Sequence, residues 1–248
     1  MQDSTKDFYV GYLKLPPRLR LAIATLVLLL FALLAFDAWL IAKLQPNAGD
    51  GKWSETPAEF VGTLFRDPYP SLRRMKDGKI ETYVLISEEK RGAEAALEKF
   101  PDGSVVKIVG FEIARGSVGM IQLAAETVNL SEAASPIPAP AREIHGRVTL
   151  EGEIVDSKCW LGVMRPGDGH IHKGCASICI RGGIPPMFVS RAPDTPAVML
   201  MTQFDGTIVP PEKILEFVAD KVSLSGLVEK RGDTYVFKAD LSTLRRSE

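Results

Sequence analysis

The residues best suited to chemistry in this chain are its cysteines and histidines, which lie close together in the sequence. All three cysteines and two of the three histidines fall between residues 156 and 188, and the third, His145, lies shortly before them. Thiolates and imidazoles are common ligands of Zn, Cu and Fe ions. The clustering predicts a metal site with these candidate ligands: Cys159, His170, His172, Cys175 and Cys179.

The spacing of these residues suits a helix. In His172-x2-Cys175-x3-Cys179, residues three or four positions apart share one helical face. Cys159 would supply the fourth ligand of a Cys3His set. The spacing differs from the paired C-x2-C of a zinc ribbon. The C-x3-C pair is similar to that of dinuclear copper centres, although their downstream histidine is missing. The candidate cofactors are Zn, Cu or Fe, including a haem contact.

A disulfide is the main alternative to a metal. In an oxidising compartment, Cys159 paired with Cys175 or Cys179 would close a loop of roughly 17–21 residues, stabilise the fold by about 3 kcal/mol and leave no need for a cofactor. The remaining cysteine would then be free, or would bind a cofactor or a partner. Catalytic thiol chemistry is a third alternative, separate from the disulfide and the metal. Asp156, which follows a predicted strand, is expected to form a turn rather than to bind a metal. Because hydrolase and phosphate-binding motifs are missing, no catalytic residue is predicted and enzyme activity is not expected.

The cysteine-rich segment interrupts the second of two similar β-rich halves. Both halves contain strands of alternating apolar residues, and both carry a G-x4-R-G pattern, at Gly110–Gly116 and Gly226–Gly232. A helix is predicted at the same place in each half, over Ala93–Phe100 and Pro211–Val218. Strand, strand, helix and hairpin in this order are typical of the five-stranded OB-fold. We therefore predict a mainly β chain with short helices, in which two OB-like small barrels stand in tandem.

The sequence also predicts the domain boundaries and a membrane anchor. We predict a first domain over 55–130, a Pro-rich linker over 131–143 and a second domain over 144–246, with the Cys/His insert at 156–188. Upstream, residues 21–42 carry a single charge, Asp37, and exceed the roughly 20 residues that cross a bilayer. The sequence therefore predicts one N-terminal transmembrane helix, with Asp37 at the interface or against a partner subunit.

Charge indicates the orientation and the partners. The basic residues near this helix lie mostly before it: Lys6, Lys14, Arg18 and Arg20 precede it, whereas Lys43 and Lys52 follow. The positive-inside rule then makes residues 1–20 a cytoplasmic arm and places the body in the periplasm, on the inner (cytoplasmic) membrane of a Gram-negative cell. With 30 basic and 31 acidic residues, the chain shows no basic field for nucleic acid. The expected partners are the membrane and other membrane-protein subunits.

About fifty residues of the second domain resemble a loose group of secreted bacterial OB-like proteins. The shared features are G-x-I-x-D-S-x-C at Gly152–Cys159, H-x2-C-x3-C at His172–Cys179, and the glycine turn Gly182–Gly183 before an apolar strand. The resemblance implies an OB-like fold and an exported location, and it implies no activity. We therefore expect an accessory or assembly subunit of a larger membrane complex, with respiratory or photosynthetic electron transport as its setting. The alternative is a periplasmic metal-binding or thiol-redox protein that acts through the Cys/His insert.

Overall fold

The N-terminal part of the chain forms one long helix. The structure, a computed structural model, describes residues 16–44, 51–124 and 127–247. Helix α1 (Pro17–Leu44) begins at a proline, which suits a first turn because its missing N–H would have no partner there. Its mean hydropathy reaches 2.6, and none of its residues is buried. The helix is long and apolar enough to span a membrane, as predicted, although a signal sequence would meet the same criteria. Most of the predicted arm, residues 1–15, lies outside the described residues.

Residues 48–248 form a second compact unit, which contains two closed barrels. The first barrel consists of β strands and one helical turn: β1 (Lys52–Trp53), β2 (Ala58–Phe65), β3 (Ser71–Lys76), β4 (Lys79–Ile86), α2 (Glu94–Leu97), β5 (Val105–Arg115), β6 (Val118–Leu123) and β7 (Asn129–Leu130). Its strands pair in the order β5-β2-β3-β4-β6, and β6 returns to β5. The pairing of β4 with β6 is parallel, and the other pairings around the barrel are antiparallel.

The second barrel repeats this plan. Its elements are β8 (Arg142–Asp156), α3 (Lys173–Arg181), β9 (Pro186–Ser190), β10 (Val198–Gln203), β11 (Lys221–Arg231) and β12 (Thr234–Arg246). The strands close in the order β11-β8-β9-β10-β12, with β10 and β12 parallel. Both barrels thus share the strand order of an OB-fold, and the predicted pair of OB-like barrels is confirmed.

The two barrels also match in register. Gly62 of β2 lies opposite Val106, and Gly152 of β8 lies opposite Val222; each valine stands four residues before the glycine of its G-x4-R-G pattern. A Cβ at Gly62 would lie 2.4 Å from a carbonyl oxygen of the neighbouring strand, and one at Gly152 would lie 2.2 Å from such an oxygen. Glycine is therefore required at both positions, where the strands approach closely.

Some local predictions are wrong. The segment Pro211–Val218 is not a helix: a single 3-10 turn over Pro211–Lys213 gives way to hydrogen-bonded turns. So short a segment gains little from helix formation, and burial of Ile214 and Val218 in the core fixes its path instead. Strand β3 was not predicted, because its charged residues hide the alternation of a strand.

Three apolar clusters hold the body together. One fills each barrel, and the third contains residues of both barrels, among them Ile113 and Trp160. The loop Asp67–Pro70 packs against the second barrel: Tyr69 is 2% exposed and its hydroxyl donates a 2.6 Å hydrogen bond to the carbonyl of Met201. The two barrels therefore pack on each other through a shared apolar cluster.

Candidate metal centre

The Cys/His insert folds into short helical elements between β8 and β9. A π-helical turn covers Cys159–Val163, a 3-10 turn covers His170–His172, and α3 follows directly. Because Cys175 and Cys179 lie one helical turn apart in α3, they share a face. The helix ends at Gly182, and Gly183 adopts a φ of 96°, which favours glycine. The predicted helical spacing and glycine turn are both found.

These elements bring the candidate ligands together in two overlapping groups. Ligand atoms of Cys159, His172 and Cys175 lie within 4.8 Å of one another, and so do those of Asp156, Cys159 and Cys179. Ligand atoms around a tetrahedral ion with Zn–S bonds of about 2.3 Å stand roughly 3.8 Å apart. Since Cys159 belongs to both groups, an ion bound to its sulfur would have the other donors close by.

Asp156 orients the histidine and the first cysteine. Its carboxylate is fully buried at the end of β8; Oδ1 accepts a 2.9 Å hydrogen bond from the Cys159 amide, and Oδ2 lies 2.9 Å from His172 Nε2. The first contact caps the turn that follows β8, and Asp156 also lies within 4.8 Å of the sulfurs of Cys159 and Cys179. The second engages one ring nitrogen of His172 and leaves Nδ1 for a metal. A carboxylate behind a histidine ligand is a common arrangement in metal sites.

Two of the thiols form a buried pair. The hydrogen bond between Cys159 and Cys179, together with burial, raises the pKa of the Cys159 thiol. The same hydrogen bond lowers the pKa of Cys179, although burial opposes it. The two thiols are therefore inequivalent: Cys179 loses its proton more readily than Cys159. A thiolate is the form of cysteine that binds metals.

Two lysines place positive charge beside the sulfurs. Lys90, from the first barrel, donates a 3.0 Å hydrogen bond to Cys175 Sγ, and this bond raises the lysine pKa. Lys158 precedes Cys159 and is 6% exposed; burial lowers its pKa, and its ammonium donates to the carbonyl of Glu89. The charge of Lys90 also helps to lower the pKa of Cys179.

The first barrel covers the insert closely. The Gly92 amide donates a 3.0 Å hydrogen bond to the carbonyl of Gly182, and a Cβ at Gly182 would lie 1.8 Å from the carbonyl oxygen of Lys90. No side chain fits in this gap. The loop that carries Lys90 is thus fixed against the end of α3, and the centre is built from both barrels.

The remaining candidates lie elsewhere. His170 has a side chain that is 83% exposed and lies 3.5 Å from Asp220, so it is not grouped with the cysteines. His145 packs edge-on against Tyr235. All three cysteines are free thiols, without the alternative disulfide.

Sequence reasoning missed two residues of the site. Lys158 lies inside the D-S-x-C motif, where its neighbours could have indicated it. Lys90 lies far away in the sequence and carries no local signal.

Comparisons of the chain with protein-family models, with curated proteins and with solved structures find no match. The fold and the site define a class by themselves: a pair of OB-like barrels with a buried cysteine–histidine centre, preceded by an apolar helix. The donor set is soft, largely buried and backed by a carboxylate. Such a set can hold a thiophilic ion or carry out thiol chemistry.

Proposed function

We propose that this chain is a membrane-anchored metal-binding protein whose second barrel holds one thiophilic ion. The observation that carries the proposal is the convergence of Cys159, Cys175, Cys179 and His172, with Asp156 behind the imidazole. These residues are not all close together in the sequence. They come together because the turn at Cys159 faces the start of α3.

Zinc is the ion that this site fits best. Cys3His is a tetrahedral zinc set, and imidazole with thiolates also suits copper. A divalent ion, three thiolates and the Asp156 carboxylate leave an excess of negative charge, which Lys90 and Lys158 offset. A monovalent ion would leave a larger excess in a buried site. The charges around the centre therefore favour a divalent ion.

The location is part of the proposal. The apolar α1 helix supports anchoring, and the basic residues before it support a body outside the cytoplasm. In an oxidising compartment a bound metal would protect the thiols from oxidation. The role of accessory subunit in a larger membrane complex stays a prediction, in which Asp37 would contact the partner.

Metal analysis of the full chain tests the proposal. The protein is purified in detergent under anaerobic conditions, loaded with Zn²⁺ and freed of excess ion. We expect one zinc per chain, and three titratable thiols after metal removal. Two histidines of the insert provide a matched pair: His172→Asn should lose the ion, whereas His170→Asn, at an exposed position, should retain it.

Two results would contradict the proposal. One is a wild-type chain that retains no stoichiometric metal. The other is equal zinc content in the two histidine variants when circular dichroism shows both to be folded. A single titratable thiol in metal-free protein kept anaerobic would instead support the disulfide.

A further inference from the structure

A pocket of about 400 Å³ opens onto the cysteine centre. The loop around Lys90 of the first barrel forms one wall, and the insert forms the other. The residues that matter for its chemistry are Lys90, Lys158, Met164, Cys175 and Cys179. Its size falls in the range that accommodates a small molecule. The centre is therefore open to a ligand from solution on this side.

The three thiols differ in how exposed they are to this pocket. Cys159 and Cys179 are buried, whereas Cys175 is partly exposed. Cys175 is also the thiol that Lys90 contacts, at 3.0 Å. All three cysteines line the pocket, and Cys175, the most exposed of them, is the one that an incoming ligand replaces most readily.

The walls combine soft, apolar atoms with positive charge. Met164 is 45% exposed and contributes its thioether, and Val163 adds an apolar surface. The ammonium groups of Lys90 and Lys158 are already engaged, with Cys175 and the carbonyl of Glu89 respectively. Arg91 also lines the pocket and adds positive charge, so the walls favour an anion, and the sulfur and apolar atoms favour a soft anion over a hard oxyanion.

We propose that this pocket admits a small thiolate of the cysteine type, which binds the metal in place of Cys175. The inference rests on the proposed metal site. The incoming sulfur forms a bond to the ion, and Cys175 Sγ leaves the ion as a thiolate. Lys90 stays hydrogen-bonded to the released Cys175. One thiolate replaces another, so neither the charge on the ion nor its oxidation state changes.

Cobalt spectroscopy tests the inference on the full chain in detergent. Co²⁺ replaces Zn²⁺ and reports thiolate ligation through its absorption bands. L-cysteine is titrated into the loaded protein, with L-serine as the oxygen analogue. We expect a saturable spectral change with cysteine and none with serine.

Two tryptophan substitutions probe the pocket. Met164→Trp fills it and should raise the cysteine concentration for half-saturation by roughly tenfold, about 1.4 kcal/mol of binding free energy. Met75→Trp, at an exposed position of β3 outside this pocket, should leave it unchanged. The Co²⁺ spectrum before cysteine is added shows whether each variant retains the intact centre. If Met164→Trp disturbs it, the smaller Met164→Phe takes its place.

The outcomes separate this inference from the proposed function. A chain that binds no Co²⁺ defeats the metal site itself. Normal Co²⁺ binding with no response to cysteine overturns only the thiolate pocket, as does an equal response in the Met164 and Met75 variants. If cysteine strips the ion from the protein, a slower loss in Met164→Trp supports access through the pocket, and an equal rate overturns it.

Discussion

The two barrels share one plan but differ at the connection between their first two strands. In the first barrel, residues 66–70 make a short loop, and its Tyr69 packs against the second barrel. In the second barrel, residues 157–185 fill the same place and carry every cysteine of the chain. The first barrel therefore supports and covers the candidate site, whereas the second provides its candidate ligands. A loop can be enlarged in this way because the closed barrel beneath it keeps its register.

One pair of equivalent residues shows how the roles diverged. Arg66 and Asp156 each stand four residues after the close-approach glycine of their strand. Arg66 donates hydrogen bonds to backbone carbonyls at the end of α2, including a 2.6 Å bond to Phe100. Asp156 contacts Cys159 and His172 instead. The same position thus binds the end of a short helix in one barrel and orients Cys159 and His172 in the other.

The largest expected effect tests whether the barrels are one folding unit. Leu72 and Phe188 occupy equivalent buried positions, opposite Leu64 and Ile154 respectively. Leu72→Ala and Phe188→Ala should each lower the free energy of unfolding by about 2–5 kcal/mol, because each opens a cavity. Since the barrels share an apolar cluster, both variants should shift the same transition.

Denaturant unfolding of the metal-free full chain in detergent, followed by circular dichroism and tryptophan fluorescence, measures this effect. One coincident transition is expected for the wild type and both variants. Two transitions, of which each variant moves only one, would show that the barrels unfold independently. In that case the first barrel could not act as a fixed wall of the site.

The next effect separates the roles of Asp156 and Arg66. Asp156→Asn keeps the shape but removes the carboxylate charge behind His172, so zinc affinity should fall by roughly 10–100-fold. Arg66→Gln removes hydrogen bonds from partly buried carbonyls and should cost about 1–3 kcal/mol of stability with no change in zinc affinity. Competition with a chromophoric chelator measures the affinities, and thermal unfolding measures the stabilities. Equal zinc affinities for both variants would contradict a special role for Asp156.

The features of the two barrels that depend on local sequence patterns could be predicted. Strand alternation and the repeated G-x4-R-G gave both barrels, and the spacing of Cys175 and Cys179 gave α3. Strand β3 escaped detection because Arg73 and Arg74 occupy its centre, and Arg73 is nevertheless buried by a contact with the linker at Pro138. Lys90 escaped because its role depends on how one barrel packs on the other. Tertiary contacts of this kind leave no periodicity in the sequence.

The smallest expected effect is on stability at acidic pH. It also follows from a difference between equivalent positions of the two barrels. Asp220 precedes β11, where the first barrel has Ser104 before β5. Asp220 is buried and lies 2.9 Å from both Lys173 Nζ and Arg246 Nε, so it ties the start of α3 to the second barrel. Although burial opposes the shift, the hydrogen bonds from the two cations lower the pKa of Asp220.

Because the folded pKa of Asp220 is lowered, its contribution to stability is present above the unfolded value of about 3.9 and is lost as the pH falls through the folded pKa. Between about pH 6 and pH 3, the free energy of unfolding should therefore fall further in the wild type than in Asp220→Ser, which copies the first barrel. Asp194→Ser, at an exposed position, is the matched control and should follow the wild type. Denaturant unfolding across this range measures the difference. If the free energy of unfolding falls equally with pH in the wild type and in Asp220→Ser, the ion pairs of Asp220 add no acid sensitivity. The two barrels would then not differ in their stability toward acid.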